Sequence, residues 1–190
     1  LTIACLAERL ADEKEFWGVR ANAAEALGKI RTAKCEEILI KHASTKHPKV
    51  RRAVQAGLGR FRTSASAATL KSHALSDKSY LVQAEAARAL GRTRQDVAFE
   101  PLVELLDRPS WADVITGGAI DGLAQSRDER ALPHLYARAK YGHPQRARRA
   151  AILALPKIAS DRKAREFLEE QLDDNDPIVG FARGADTVAD

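Results

Sequence analysis

The chain has 190 residues, a formal net charge of +5, 30% charged and only 5% aromatic residues. That length suits one domain or one short array, and the mild positive charge does not by itself call for nucleic acid. Alanine, leucine and arginine dominate and β-branched runs are scarce, which argues against a sheet protein and for an all-helical one.

Methionine is absent and the sequence opens on Leu1, so a fragment or a processed chain is expected, forming a single domain over 1–190. Cys5 and Cys35 both fall among apolar residues of helical segments, where a reduced, buried role is expected, with a disulfide left open. No apolar run reaches the roughly 18 residues of a membrane span, and no leader is visible. A cytoplasmic setting without membrane contact is therefore expected.

The first element in chain order is "FWGVRANAAEALGKI", residues 16–30, a good helix with almost no bulk after Trp17. Its pattern returns as "PKVRRAVQAGLGRF" (48–61), "YLVQAEAARALGRT" (80–93), "DVITGGAIDGLAQS" (113–126) and "QRARRAAILALPKI" (145–158). The anchor residues Val19, Val50, Val82, Ile115, Ala147 and Val179 follow one another at intervals of 31 to 33 residues. So steady a period means stacked supersecondary units, each completing its neighbour's core.

Each unit carries a second amphipathic segment before its anchor, as in "AFEPLVELLD" (98–107), "ERALPHLYARAK" (129–140) and "KAREFLEEQLDD" (163–174). Pro101 and Pro133 mark the first turns of two of them. A unit is thus a helix A, a short turn and a helix B. His47-Pro48, His143-Pro144 and Asp176-Pro177 open helices B, and Ser110 with Asp113 forms a capping-box-like pair. Gly28, Gly59 and Gly91 fall late in helix B, fitting a C-terminal stop or a close helix approach. Gly117-Gly118 interrupts the fourth helix B, and close packing against a neighbour is favoured over a bend. The last copy, "PIVGFARGADTVAD", is degraded and suits a cap or a truncated end.

A two-helix unit of this length with "VR..A..AL" in helix B resembles the HEAT-like repeats. The resemblance implies a right-handed α-solenoid of five to six hairpins. It also implies a ladder between units, built by a turn aspartate and the arginine after each anchor. Arg20, Arg51 and Arg148 occupy the arginine position, whereas Gln83, Thr116 and Gly180 depart from it and are expected to break the ladder. "FWGVR" and "PSWADVI" further resemble the C-terminal helical region of bacterial M1-family zinc aminopeptidase-type proteins. That resemblance implies a non-catalytic domain packing on a catalytic body and limiting access to it. Zinc would belong to that body alone, since His42, His47, His73, His134 and His143 include no HExxH.

No catalytic, cofactor or metal-binding residue is assigned in this chain, and its serines and histidines form no nucleophile motif. The His-Pro pairs are turn residues, and Trp17 and Trp111 are expected to pack across A–B turns. One constellation stands out: ten and twelve residues after the anchors come Lys29 and Arg31, Arg60 and Arg62, Arg92 and Arg94, then Arg127 and Lys157 singly. Stacking should align them into a cationic strip. It would serve either as complement to helix C-terminal dipoles or as a rail for an acidic protein, RNA or DNA. A free-standing scaffold for a protein partner is the alternative to the aminopeptidase domain. A DNA-repair glycosylase of HEAT-like architecture, with Trp111 and Asp113 in its cleft, is a third possibility.

Overall fold

The computed structural model describes residues 2–158 and Glu166. Ten α-helices occur among the described residues, paired into five hairpins. The first pair is α1 (Thr2–Ala11) and α2 (Trp17–Ile30), the second α3 (Ala33–Lys41) and α4 (Pro48–Leu58). The third is α5 (Ser64–Ser76) with α6 (Tyr80–Thr93), the fourth α7 (Phe99–Glu104) with α8 (Val114–Ser126), and the fifth α9 (Leu132–Ala139) with α10 (Gln145–Ala154). No strand occurs among the described residues. The sixth anchor Val179, segment 163–174, Asp176-Pro177 and the degraded last copy lie outside them.

The helices begin where local chemistry lets them. Thr32 and Thr63 cap α3 and α5, their hydroxyls accepting from the Cys35 N–H at 3.3 Å and the Ser66 N–H at 3.2 Å. Pro48 opens α4, and Pro133 lies in the first turn of α9. The expected capping pair at Ser110 does not form. Its hydroxyl instead accepts from the Ile115 N–H at 3.0 Å, because Ala112 and Asp113 take left-handed φ angles of 49° and 53°.

Two leucine columns run the length of the described array. Leu27, Leu58, Leu90, Leu123 and Leu155 come from the B helices and their ends, and Leu39, Leu70, Leu102 and Leu135 from the A helices; all are fully buried. Burying one such side chain contributes about 1.5–3 kcal/mol. The anchors Val50, Val82, Ile115 and Ala147 are buried as the period requires. Val19 is 41% exposed, since the inward face of α2 runs through Arg20, Ala23, Ala24 and Leu27 instead. Cys35 is buried as expected, but Cys5 is exposed on α1, which turns only Leu10 fully inward; both thiols are free.

Small residues set the spacing of the B layer. A Cβ on Gly28 would stand 2.7 Å from the Gly57 Cα, and one on Gly91 only 1.8 Å from the Gly122 carbonyl oxygen. The pair at 117–118 divides its roles: Gly118 abuts the Ala84 carbonyl of α6, while Gly117 faces open space. Consecutive B helices therefore pack backbone to backbone, whereas the A helices of neighbouring units scarcely touch. A layer so much more closely spaced than its partner lies on the inside of the curve. The array is an α-solenoid with its B helices facing inward.

Candidate functional site

Stacking leaves two edges, one at the B–A turns and one at the A–B turns. The first carries the basic residues picked out by their spacing. Those ten residues after the anchors lie in or just beyond the last turns of the B helices, and two of the four are paired. Lys29 pairs with Glu25 at 2.8 Å and Arg92 with Glu85 at 2.9 Å. Lys29 and, more weakly, Arg60 hold the Glu25 carboxyl below its ordinary range. The residues two places further on are different. Arg31, Arg94 and Arg127 follow α2, α6 and α8 in the left-handed conformation, with φ of 60°, 54° and 57°. Glycine takes that conformation without steric penalty; arginine does not. In the second unit Gly59 closes α4 in a right-handed conformation, and Arg62 lies in the loop beyond.

Arg31, Arg62, Arg94 and Arg127 are exposed, and none makes an ion pair among the described residues. Desolvation, and then the charges of Arg62 and Arg127, push the Arg94 guanidinium below its ordinary pKa. Three consecutive units thus hold their guanidinia near enough to repel. Lys157 is exposed at the end of the fifth unit and likewise makes no described ion pair. The inner face is balanced by contrast: Arg88 bridges Glu85 at 2.7 Å and Asp121 at 3.0 Å.

The A–B edge holds the ladder position. Arg20 Nε donates to the Leu10 carbonyl at 3.0 Å, Arg51 to Thr45 at 3.0 Å, and Arg148 Nε to Ala139 at 3.2 Å. Gln83 and Thr116 make no described hydrogen bond to a neighbouring unit, so the ladder breaks there as expected, but inside each unit the position keeps its role. Gln83 Nε2 donates to the Asp77 carbonyl at 2.6 Å and the Thr116 hydroxyl to Leu106 at 3.3 Å. Each side chain satisfies a carbonyl that the end of helix A leaves unpaired, and an amide or hydroxyl does this as well as a guanidinium. Among the described residues two rungs are seen to cross between units. Arg20 reaches the Thr45 hydroxyl at 2.9 Å, and Arg51 grips both oxygens of Asp77 at 2.9 Å. Burial alone would raise the Asp77 carboxyl, but Arg51, the Ser79 N–H and His73 hold it below its ordinary value.

The two tryptophans part company at this edge. Trp17 packs against the next unit's A–B turn and not only across its own, stacked on His47 with centroids 5.7 Å apart and with Lys49 Nζ 4.1 Å above its ring. Trp111 does not pack as expected: it is 72% exposed, in a turn whose Ala112 and Asp113 are left-handed. Trp111 and Asp113 sit at the A–B edge and not on the B-helix face, where the glycosylase reading would need them.

One grouping escaped the sequence. Ser44 Oγ lies 3.5 Å from His73 Nε2, and His73 Nδ1 lies 3.0 Å from Asp77 Oδ2. The row has the order of a nucleophilic triad but not its chemistry. Asp77 is committed to Arg51 through both oxygens, and Ser44 sits just past the carbonyl end of α3, which disfavours an alkoxide. A signal was available: "STK" at 44–46 recurs as "SDK" at 76–78, one period later. Among the described residues no group of three or more His, Cys, Asp or Glu side chains is placed to hold a metal. Nor is any described helix long and apolar enough to cross a membrane.

The pattern of the HEAT-repeat family matches residues 3–80, 56–118 and 70–156 in overlapping stretches. Among curated proteins none matches significantly. Several solved structures share the architecture. The complex of CpcE and CpcF of phycocyanin lyase from a Nostoc species aligns with a TM-score of 0.69 at 20% identity, over 93% of this chain and 72% of that one. Human deoxyhypusine hydroxylase in complex with glycerol aligns at 0.50 and 23% identity, over 93% and 69%. An engineered protein aligns at 0.58 and 18%, over 95% and 92%. At such identities they establish the fold alone. None of the three is an aminopeptidase domain.

Proposed function

The chain belongs to the HEAT-repeat family, and on that premise we propose that it is a non-catalytic scaffold that docks an acidic protein partner along its B–A edge. The observation that carries this reading is the outer row Arg31, Arg62, Arg94 and Arg127: four exposed guanidinia, one per unit, without a described carboxylate. Packed helices lie about 8–10 Å apart, which sets the scale on which units succeed one another along this edge. Carboxylates seven residues apart on a helix recur at about 10.5 Å, which suits the same ruler. Such pairs steer association and set register more than they add affinity. The likeness to a solenoid solved in complex with a second protein supports a partner of protein class. An exposed free thiol at Cys5 suits a reducing, cytoplasmic setting.

Attachment to an aminopeptidase body rests on "FWGVR" and "PSWADVI" alone. Part of the first is local architecture, since Trp17 stacks on His47 and Arg20 caps α1.

Fluorescence anisotropy tests the docking reading. The probes are a helical peptide with glutamates at every seventh position, a scrambled peptide of equal charge, and duplex DNA. Salt-sensitive binding of the first is expected, at about micromolar Kd, weakened at least tenfold when Arg31, Arg62, Arg94 and Arg127 become serine. Equal binding of the scrambled peptide, or preference for DNA, would overturn the reading.

A further inference from the structure

The grouping around Ser44 opens into a cleft of about 470 Å³ at the opposite edge, between the second and third A–B turns. Its two walls are copies of one motif. Ser44 and Lys46 come from the α3–α4 turn, and Ser76 and Lys78 from their equivalents one period later. His73 and the Arg51–Asp77 pair form the floor.

The charges on these walls do not cancel. Arg51 and Asp77 neutralise each other through two hydrogen bonds. Lys46 has one distant carboxylate, Glu13 at 3.5 Å, and both groups are largely exposed. Lys78 has no ion pair among the described residues. The Ser76 hydroxyl is spent on the Ser72 carbonyl at 2.8 Å, but the Ser44 hydroxyl meets only His73 Nε2, at the outer limit of a hydrogen bond. Asp77 fixes His73 through Nδ1, which leaves Nε2 as the ring atom facing Ser44. In its doubly protonated form the ring donates through Nδ1–H to Asp77 and through Nε2–H to a guest.

We propose that this cleft binds the phosphoryl group of a phosphomonoester, gripped by Lys46, Lys78, the Ser44 hydroxyl and His73 Nε2. Two ammonium groups, a hydroxyl and a ring N–H approach from different walls, and two ammonium charges match a dianion better than the single charge of a carboxylate. A phosphomonoester presents three terminal oxygens and close to two negative charges. The cleft is also far roomier than a bare phosphate ion, so the ester's organic part fits beside the phosphoryl group. The site lies on the edge away from the arginine row and does not depend on the docking reading.

Isothermal titration of the full chain with phenyl phosphate, a phosphoserine peptide and inorganic phosphate tests the proposal. The two esters are expected to bind, the free ion at least tenfold more weakly. Lys78→Ala and His73→Gln should each weaken the esters at least fivefold, and circular dichroism reports whether each variant keeps its helices. Lys78→Ala alters an exposed side chain and keeps the test alive if His73→Gln misfolds. The four-arginine serine variant should bind the esters unchanged. Absence of heat from both esters overturns the proposal, as does an affinity unmoved by Lys78→Ala. Equal affinity for inorganic phosphate assigns the cleft to the free ion and overturns the ester.

Discussion

Two glycines of the B layer make opposite predictions for the same substitution. Gly91 lies in α6, where a Cβ would stand 1.8 Å from the Gly122 carbonyl oxygen and 2.6 Å from its Cα. Both obstacles are backbone, so no side chain can swing away, and α6 and α8 must move apart by more than an ångström. Overpacking of this kind costs about 1–3 kcal/mol or more, against a gain of about 1 kcal/mol in helix propensity. The net loss should be about 2 kcal/mol, because separating these helices also strips contacts from Leu90 and Leu123 across the seam. Gly117 also lies in a helix but faces open space. Gly117→Ala should gain about 0.5–1 kcal/mol through propensity and a less mobile unfolded chain. In a domain of this size about 1 kcal/mol moves the thermal midpoint by roughly 2–4 °C. Thermal melts followed by circular dichroism should therefore place Gly91→Ala about 4–8 °C below the wild type and Gly117→Ala slightly above it. A Gly91→Ala protein as stable as the wild type would show that the B helices are not spaced by backbone contact.

Three further outcomes follow from the two edges. Arg51→Ala leaves Asp77 buried without its bidentate partner, which should cost about 3 kcal/mol in urea denaturation; Arg51→Lys should recover only part of it, since an ammonium cannot meet both oxygens. Asp77 has a folded pKa below its ordinary 3.8, so its contribution is fully present above that value and is lost as pH falls through the lowered one; acid titration of stability should show this loss in the wild type and not in an Arg51→Ala, Asp77→Asn double variant. Arg94→Gly relieves a left-handed arginine that its neighbours repel, so it should raise the melting midpoint while weakening the acidic peptide in the anisotropy assay.

The architecture was legible because it repeats. A helix-period pattern recurring every 31 to 33 residues needs no long-range information, and the two leucine columns fall where the period puts them. What stayed hidden depends on contacts that periodicity does not encode. Gln83 and Thr116 looked like departures from an arginine pattern, yet they meet the same unpaired carbonyl, because the requirement is for a donor and not for a charge. Val19 and Cys5 had the composition of core residues, but both lie in the first described unit, on faces that no described helix covers. Trp111 looked like Trp17, and nothing in "PSWADV" announces two consecutive left-handed residues without glycine. The cleft at Ser44 joins side chains about 30 residues apart, and only the doubled serine–lysine spacing hinted that they would meet.

The basic strip divides on the same grounds. Cations in the last turn of a helix complement its dipole, and Lys29 and Arg92 sit there with carboxylate partners besides. That account covers Lys29 and Arg92, but not Arg60 and Lys157, which are exposed and make no ion pair among the described residues. It fails for Arg31, Arg94 and Arg127, which stand past the last turn in a conformation arginine resists and glycine does not. A sequence answering only to stability would place glycine at the ends of α2, α6 and α8, as it commonly stands where helices stop. On the proposed docking reading, guanidinia that strain the backbone and meet no described acid answer to a partner outside the chain. If Arg94→Gly instead lowered the melting midpoint, the cation would be stabilising its own helix, and the outer row would lose its claim to a partner.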